Sequence, residues 1–587
     1  MKRLIGLSFL TVLLSVQFST LVNAQTEISG TINGDSTVVW LSANSPYVIT
    51  GSTTISALDT VQIESGVEVR FDPSTQLTVT GSLIADGVTF TANTGTSRES
   101  WSRIYLNSAS SELILSNSTI QFSTNGVEVV NGSATLDTVI ISDSKYGITA
   151  AYPGKITVNN STITGTVYPI YITSEADISY SGVNDLSGND NNMIYLNFST
   201  VDVNWTMNYV GIPYYFYSSM QVYNGDTLTI ASGNILKFEN NRELYTQDGG
   251  VIHAVADAGE EIHFTSWRND NAGGDTNKDG NTTAPGNTDW YGIRVSGKTA
   301  TSTFKRVRVT FAGYHNTYYG DYRGGITLIN NNSVIDISNF QNNLYGVTLR
   351  DNSDATFTNN TIGSSGVVPV ALTFDSDPVF SNNSFSSSNN QYDAIGLIGT
   401  TISGSSILPK RDFTSIPNVT YLLLRDLYID TGAELTIEEG VVIKSTGPGL
   451  RVKGTLTSVG TSDEKIVFTS VKDDNVGNPK DTNKDGNNTV PGNTDWLGIA
   501  FGEDAGASVV DYNRIRYASY NTIFYFNAAN NYIYPQGAVN IVNSDVTISN
   551  TEIANTQKFA IDSRGMANPT ITNNSFSNTG SVPVALS

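Results

Sequence analysis

The sequence predicts an all-β solenoid, and three observations carry that expectation. Short phrases recur every 21–24 residues along most of the chain. Between them the residues alternate apolar and polar over four or five positions, the period of a half-buried strand. Charged residues make up only 15% of the 587, against roughly 25% in an ordinary globular protein, so the Glu, Lys and Arg that build helices are scarce. Asn, Ser, Thr and Gly fill their place, which suits strands joined by tight turns.

Taken from the N-terminus, the first element is a targeting segment. Lys2 and Arg3 precede an apolar run from Leu4 to Leu14, and Val22-Asn23-Ala24 offers small residues for cleavage. Residues 1–24 therefore read as a secretory signal. Ser15, Gln17, Ser19 and Thr20 interrupt the run before it reaches the ~20 apolar residues of a membrane anchor. Loss of the two positive charges takes the formal net charge from −22 to −24. No later stretch is long and apolar enough to span a bilayer, so a secreted or cell-surface location is expected.

The repeats begin with Asn125-Gly126-Val127, Tyr146-Gly147-Ile148 and Tyr168-Pro169-Ile170, at steps of 21 and 22 residues. Later, Asn339, Asn360 and Asn383 step by 21 and 23. A coil of this length suits three short strands and three turns, stacking at ~4.8 Å. An Asn recurring at one place per coil predicts a ladder, in which its amide bonds a turn and the equivalent residue one rung away. With these features the chain resembles the right-handed parallel β-helix proteins of the pectin-lyase-like group, over nearly all of its mature length. That group includes lyases, hydrolases, adhesins and structural rods, so the resemblance implies architecture and leaves function open among these.

A longer period divides the solenoid into three superunits. Ser45-Pro46-Tyr47, Ile212-Pro213-Tyr214 and Ile416-Pro417-Asn418 each open one. Phe90-Thr91, Phe264-Thr265 and Phe468-Thr469 follow, and then Trp101, Trp290 and Trp496. The expected divisions are residues 25–205, 206–410 and 411–587. The third unit stops where its counterpart, Val368-Pro369-Val370-Ala371-Leu372, runs on, so further units are expected.

Units two and three carry an insertion that unit one lacks. Eleven residues separate Phe90 from Trp101, but 26 separate Phe264 from Trp290 and 28 separate Phe468 from Trp496. The inserts, within 269–290 and 473–496, hold Asp275-Thr276-Asn277-Lys278-Asp279-Gly280-Asn281 and Asp481-Thr482-Asn483-Lys484-Asp485-Gly486-Asn487. Oxygen side chains at alternate positions with Gly at the sixth reproduce the first half of an EF-hand-type calcium loop. The acidic residue that usually closes such a loop is replaced by Gly286 and Gly492. Asp289 and Asp495 are expected to complete the shell, with Asp270 or Asp474 from the N-terminal side as the alternative. The expected ion is a structural Ca²⁺ held by Asp275, Asn277, Asp279, Asn281 and Asp289, and by Asp481, Asn483, Asp485, Asn487 and Asp495.

Arg306 and Arg308 in unit two are matched to Arg514 and Arg516 in unit three, each pair on one strand face. They read as partners of loop carboxylates, or as a cationic strip for an acidic sugar. Tyr318, Tyr319 and Tyr520 sit in segments that interrupt the strand pattern and are candidate sugar platforms. Cysteine is absent and only three histidines occur, which excludes thiolate chemistry and leaves little for a zinc site or a His-based triad. Basic residues form no run, so no nucleic-acid partner is expected. No catalytic residue is assigned, and an active site seldom recurs twice along one rod. The leading expectation is an exported, cell-surface β-helix protein with a structural, adhesive or glycan-binding role. The alternative is a polysaccharide lyase or glycoside hydrolase acting on acidic polysaccharide.

Overall fold

A computed structural model describes residues 25–316, 321–385, 389–399, 401–413, 416–518, 524–525, 532–533 and 536–587. The signal segment 1–24 and Tyr318, Tyr319 and Tyr520 lie outside the described residues. Short strands pair almost entirely in parallel, each with the strand one coil earlier and one coil later. Alternation decides which side chains go inside. Strand Thr227–Ile230 buries Leu228 and Ile230, and strand Glu434–Ile437 buries Leu435 and Ile437, each with its threonines turned outward. One core of Val, Ile, Leu and Phe runs from Trp40 to Ile561 without a break. Each such side chain contributes about 1.5–3 kcal/mol on burial, and this stacking stands in for disulfides in a chain that has no cysteine. Among the described residues no helix is long and apolar enough to cross a membrane.

Asparagine holds the corners. Asn117, Asn160, Asn359 and Asn550 take φ between 47° and 56°, the left-handed region that Asn tolerates better than most residues. The residue after such a corner forms the ladder. The main-chain N–H of Ser338 donates to Asn360 Oδ1 at 2.9 Å, and that of Asn360 to Asn383 Oδ1 at 2.9 Å. The Asn360 and Asn383 amides then donate to the carbonyls of Ile335 and Phe357, so both of these buried amides find partners. The ladder expected through Asn339 runs instead through Ser338. Asn339 lies inside the next strand, paired with Thr361.

The sheets form three faces, and the superunits do not sit in phase on them. Phe90 stacks on Val69 and Ile120 on the first face of its coil. Phe264 belongs to the second, stacked on Leu236 and Val309. Phe468 stacks on Ile443, in the sheet that holds Ile293 and therefore forms the third face. Each superunit is thus advanced by one face relative to the unit before it. The tryptophans close the corresponding corners. Trp101, Trp290 and Trp496 are buried, and their indole N–H groups donate to the carbonyls of Gln121, Thr310 and Arg516 at 2.8, 2.9 and 2.7 Å.

Candidate metal centres

Both inserts leave the barrel between a Phe-Thr strand and its Trp corner, then fold back over the outer surface of earlier coils. A lysine anchors each. Lys237 lies on the outer side of its strand yet is fully covered, and its Nζ donates to Gly274 O at 2.6 Å and Thr276 Oγ1 at 3.0 Å. Lys444 is its equivalent, donating to Lys480 O at 2.5 Å. Burial lowers both ammonium groups to about 8, although nearby carboxylates, Asp270 and Asp275 or Asp473, Asp474 and Asp481, pull the other way. In unit one the same register position holds Arg70, which pairs with Glu68 and is partly exposed because no insert covers it. Two lysines at matched places in apolar strands were the sequence signal for this anchor. Beyond it, Lys278 Nζ donates to Asn189 O at 3.1 Å, and Lys484 pairs with Asp393 at 3.2 Å.

Each anchored loop gathers three carboxylates. Asp270, Asp275 and Asp279 bring oxygens within 4.8 Å of one another, and so do Asp474, Asp481 and Asp485. The loop backbone is bent around them. Gly280 N–H donates to Asp275 Oδ2, and Gly486 N–H to Asp481 Oδ2, both at 3.0 Å. Gly280 and Gly486 adopt φ of 61° and 63°, which fits the glycine at the sixth position. Asp279 accepts the main-chain N–H groups of Asn281, Thr282 and Thr283, and Asp485 those of Asn488 and Thr489. The Thr283 and Thr489 hydroxyls, which donate to the same carboxylates, and then these main-chain bonds hold both carboxyls below the ordinary aspartate range.

Within the two inserts, four buried oxygens have no partner among the described residues. Asp270 Oδ1 and Asn277 Oδ1 are buried and unbonded, and so are Asp474 Oδ1 and Asn483 Oδ1 in the second loop. The Asn277 and Asn483 amide nitrogens donate to Asp279 and Asp485, which orients the amide oxygens away from those bonds. Burial and the adjacent charges raise the pKa of Asp270 and Asp474, so the clusters hold their negative charge against a cost. Orphaned, oxygen-only donors beside uncompensated carboxylates are the chemistry that a hard cation satisfies.

The shell differs from the sequence expectation at two of the positions in each loop. Asp289 and Asp495 do not join the clusters. Each directly precedes a Trp locked into the core, which ties it to the strand end: Asp289 accepts from Ser266 Oγ at 2.6 Å and pairs with Arg268 at 3.3 Å, while Asp495 accepts from Ser470 Oγ at 2.6 Å and pairs with Lys472 at 3.0 Å. Asp270 and Asp474, the alternatives from the N-terminal side, occupy that role. Asn281 and Asn487 are exposed at φ of 77° and 74°, outside both carboxylate groups.

The arginines are also re-registered. Stacking on Phe264 and Phe468 makes Arg308 equivalent to Arg514. Arg306 corresponds to Tyr512, both at left-handed corners, and Arg516 to Thr310. Arg306 and Arg308 therefore share no strand face: Arg306 forms the corner before the strand. Arg308 donates to both Glu261 oxygens, at 2.8 and 3.3 Å, and Arg514 pairs with Glu552. Arg306 and Arg308 line an open cleft of about 590 Å³ with Glu261 and His263. Burial works against the Glu261 carboxylate, but Arg308 and His263 outweigh it and keep its pKa below the ordinary value.

Sequence reasoning missed an outer stack of tyrosines. Tyr171, Tyr195 and Tyr215 occupy one outward column, and Tyr146 and Tyr168 join them with ring centroids 4.5–6.3 Å apart. At such spacing the near-parallel rings of Tyr171 and Tyr195 cover one another's faces.

Residues 291–467 match a family model described as a right handed beta helix region. That segment runs from unit two into unit three, and with the three-faced parallel stacking it makes the architecture a right-handed parallel β-helix. No curated protein sequence matches the chain.

Proposed function

We propose that this right-handed parallel β-helix protein is an exported, cell-surface rod, stiffened by two calcium loops and serving a structural, adhesive or glycan-binding role. The observation that carries the reading is the duplication. Two inserts on different faces present the same three carboxylates and the same pair of orphaned oxygens. Asp270, Asp275, Asn277 and Asp279 would hold one ion, and Asp474, Asp481, Asn483 and Asp485 the other. The ion would supply the positive charge that the single buried lysine beside each cluster does not. Export rests on the Lys2-Arg3 leader, and the absence of basic runs argues against a nucleic-acid partner.

Calcium at roughly 10–100 times Kd stabilises by about 1.4–2.7 kcal/mol per site. Scanning calorimetry in calcium and in EDTA is expected to show a melting transition several degrees higher in calcium. Identical transitions overturn the calcium reading.

The hydrogen-bonded row His263–Glu261–Arg308 in its open cleft favours a second reading, a lyase or hydrolase acting on acidic polysaccharide. Incubation with pectin, alginate and chondroitin tests it. Calcium-dependent release of unsaturated or reducing ends would replace the rod by the enzyme.

A further inference from the structure

Each insert grips the unit before its own, and both do so at the same place. Lys278 Nζ donates to Asn189 O at 3.1 Å, across 89 residues of chain. Lys484 pairs with Asp393 at 3.2 Å, and the Asp393 main-chain N–H donates to Thr482 O at 2.9 Å. The gripped segments are equivalent. Asn189 and Asn390 are buried, and their Oδ1 atoms accept main-chain N–H groups from the preceding coil, Thr166 at 3.0 Å and Ser365 at 2.8 Å. Asn192 and Asp393, three residues further on, bond back to those two asparagines just before the strands Ile194–Leu196 and Ile395–Leu397. Unit one reaches the first of these corners too, through Arg98, which pairs with Asp190. Arg98 first, and Lys278 after it, hold the Asp190 carboxyl below its ordinary range.

The gripping lysine also holds one position in both loops. It stands between two residues of the cluster, Asn277 and Asp279 in one loop and Asn483 and Asp485 in the other. Both lysines are left-handed, with φ of 54° and 59°, a conformation that a residue with a Cβ takes only when its surroundings enforce it. The neighbours are tied to each other across the lysine: the Asn277 amide donates to Asp279 at 2.9 Å, and the Asn483 amide to Asp485 at 2.8 Å. Three carboxylates with oxygens within 4.8 Å repel one another and work to open this turn. A cation among them removes the repulsion and favours the closed turn, by as much as it binds that turn better than the open one.

We infer that each loop is a calcium-dependent clasp, in which the ion fixes Lys278 or Lys484 in the turn from which it holds a corner of the preceding unit. The ion in the inference rests on the calcium reading above, whereas the grip itself rests on the lysine contacts. Loading one loop is thereby felt in a coil that supplies none of its ligands, and the two clasps join unit one to unit two and unit two to unit three.

Hydrogen exchange on the whole chain in calcium and in EDTA, with calcium titration alongside, tests the clasp. Calcium is expected to slow exchange roughly tenfold or more at the Asp190, Asn191 and Asp393 amides, which donate to Thr166 O, Val167 O and Thr482 O, and to leave Thr119 and Ile140 unchanged. Lys278→Met is expected to keep both ions and lose the slowing at Asp190 and Asn191 only, and Lys278→Arg to retain it. Asp275→Asn, which empties the first loop alone, is expected to lose the same slowing and keep that at Asp393. Two bound ions without slowing at these corners overturn the clasp and leave the calcium reading standing. Full slowing at Asp190 in Lys278→Met does the same, and if that variant melts early, full slowing in Asp275→Asn decides against the clasp. Absence of calcium binding in the titration removes the calcium reading and the ion-dependent clasp together.

Discussion

Single residues decide this structure where a polar atom must be satisfied inside it. Asn360 is the clearest case, since its Oδ1 receives one rung's main-chain N–H while its Nδ2 serves the preceding strand. Replacing it with Ala strands the Ser338 N–H, at a cost of about 1–3 kcal/mol. Hydrogen exchange is the measurement to use, because the loss is local in a stacked repeat. The Ser338 amide of Asn360→Ala is expected to exchange faster by one to two orders of magnitude, while amides in the first unit keep their rates. The periodicity made the ladder legible but placed its first rung one residue late. Asn339 resembles Asn360 in type, and only the strand register reveals that Ser338 holds the equivalent position.

At the scale of the element, the inserts read clearly in sequence as far as they are local. Asp275, Asn277 and Asp279, with Gly280, follow a spacing that dictates which side chains converge, and they do converge. What closes the shell is not local. Asp289 was a local candidate too, but the Trp290 corner holds it at the strand end, and Asp270 turns in instead. The Lys237 anchor is farther still, two coils away from the Asn189 carbonyl that the loop also touches. Burial and the Asp275 and Asp481 charges raise Asp270 and Asp474 above the usual carboxylate value. With a folded pKa above the unfolded one, the calcium-free loop loses stability as pH rises between the two values. Calcium binds the charged form and reverses that loss, so its stabilising increment is full at neutral pH. The increment is expected to vanish on acidification through the raised pKa, at a pH above the ~3.9 of a free aspartate. Melting temperatures with and without calcium across that range check it; an increment independent of pH would remove Asp270 and Asp474 from the shell.

For the whole molecule, the repeating pattern made the solenoid legible but not the phase of its units. Phe90, Phe264 and Phe468 are 174 and 204 residues apart, and inserts of unequal length hide the extra third of a coil in each interval. Only the pairings place them on three successive faces. The two loops therefore leave different corners of the solenoid. That arrangement suits the proposed surface protein, stabilised by stacking and, on that proposal, by ions. On the proposal, each loop takes a calcium ion. Titration of calcium into chelator-stripped protein tests this most directly. Two ions per chain are predicted, one for each carboxylate cluster, falling to one in Asp275→Asn and one in Asp481→Asn, and to none in the double variant. No saturable binding, or two ions still bound by the double variant, would contradict it.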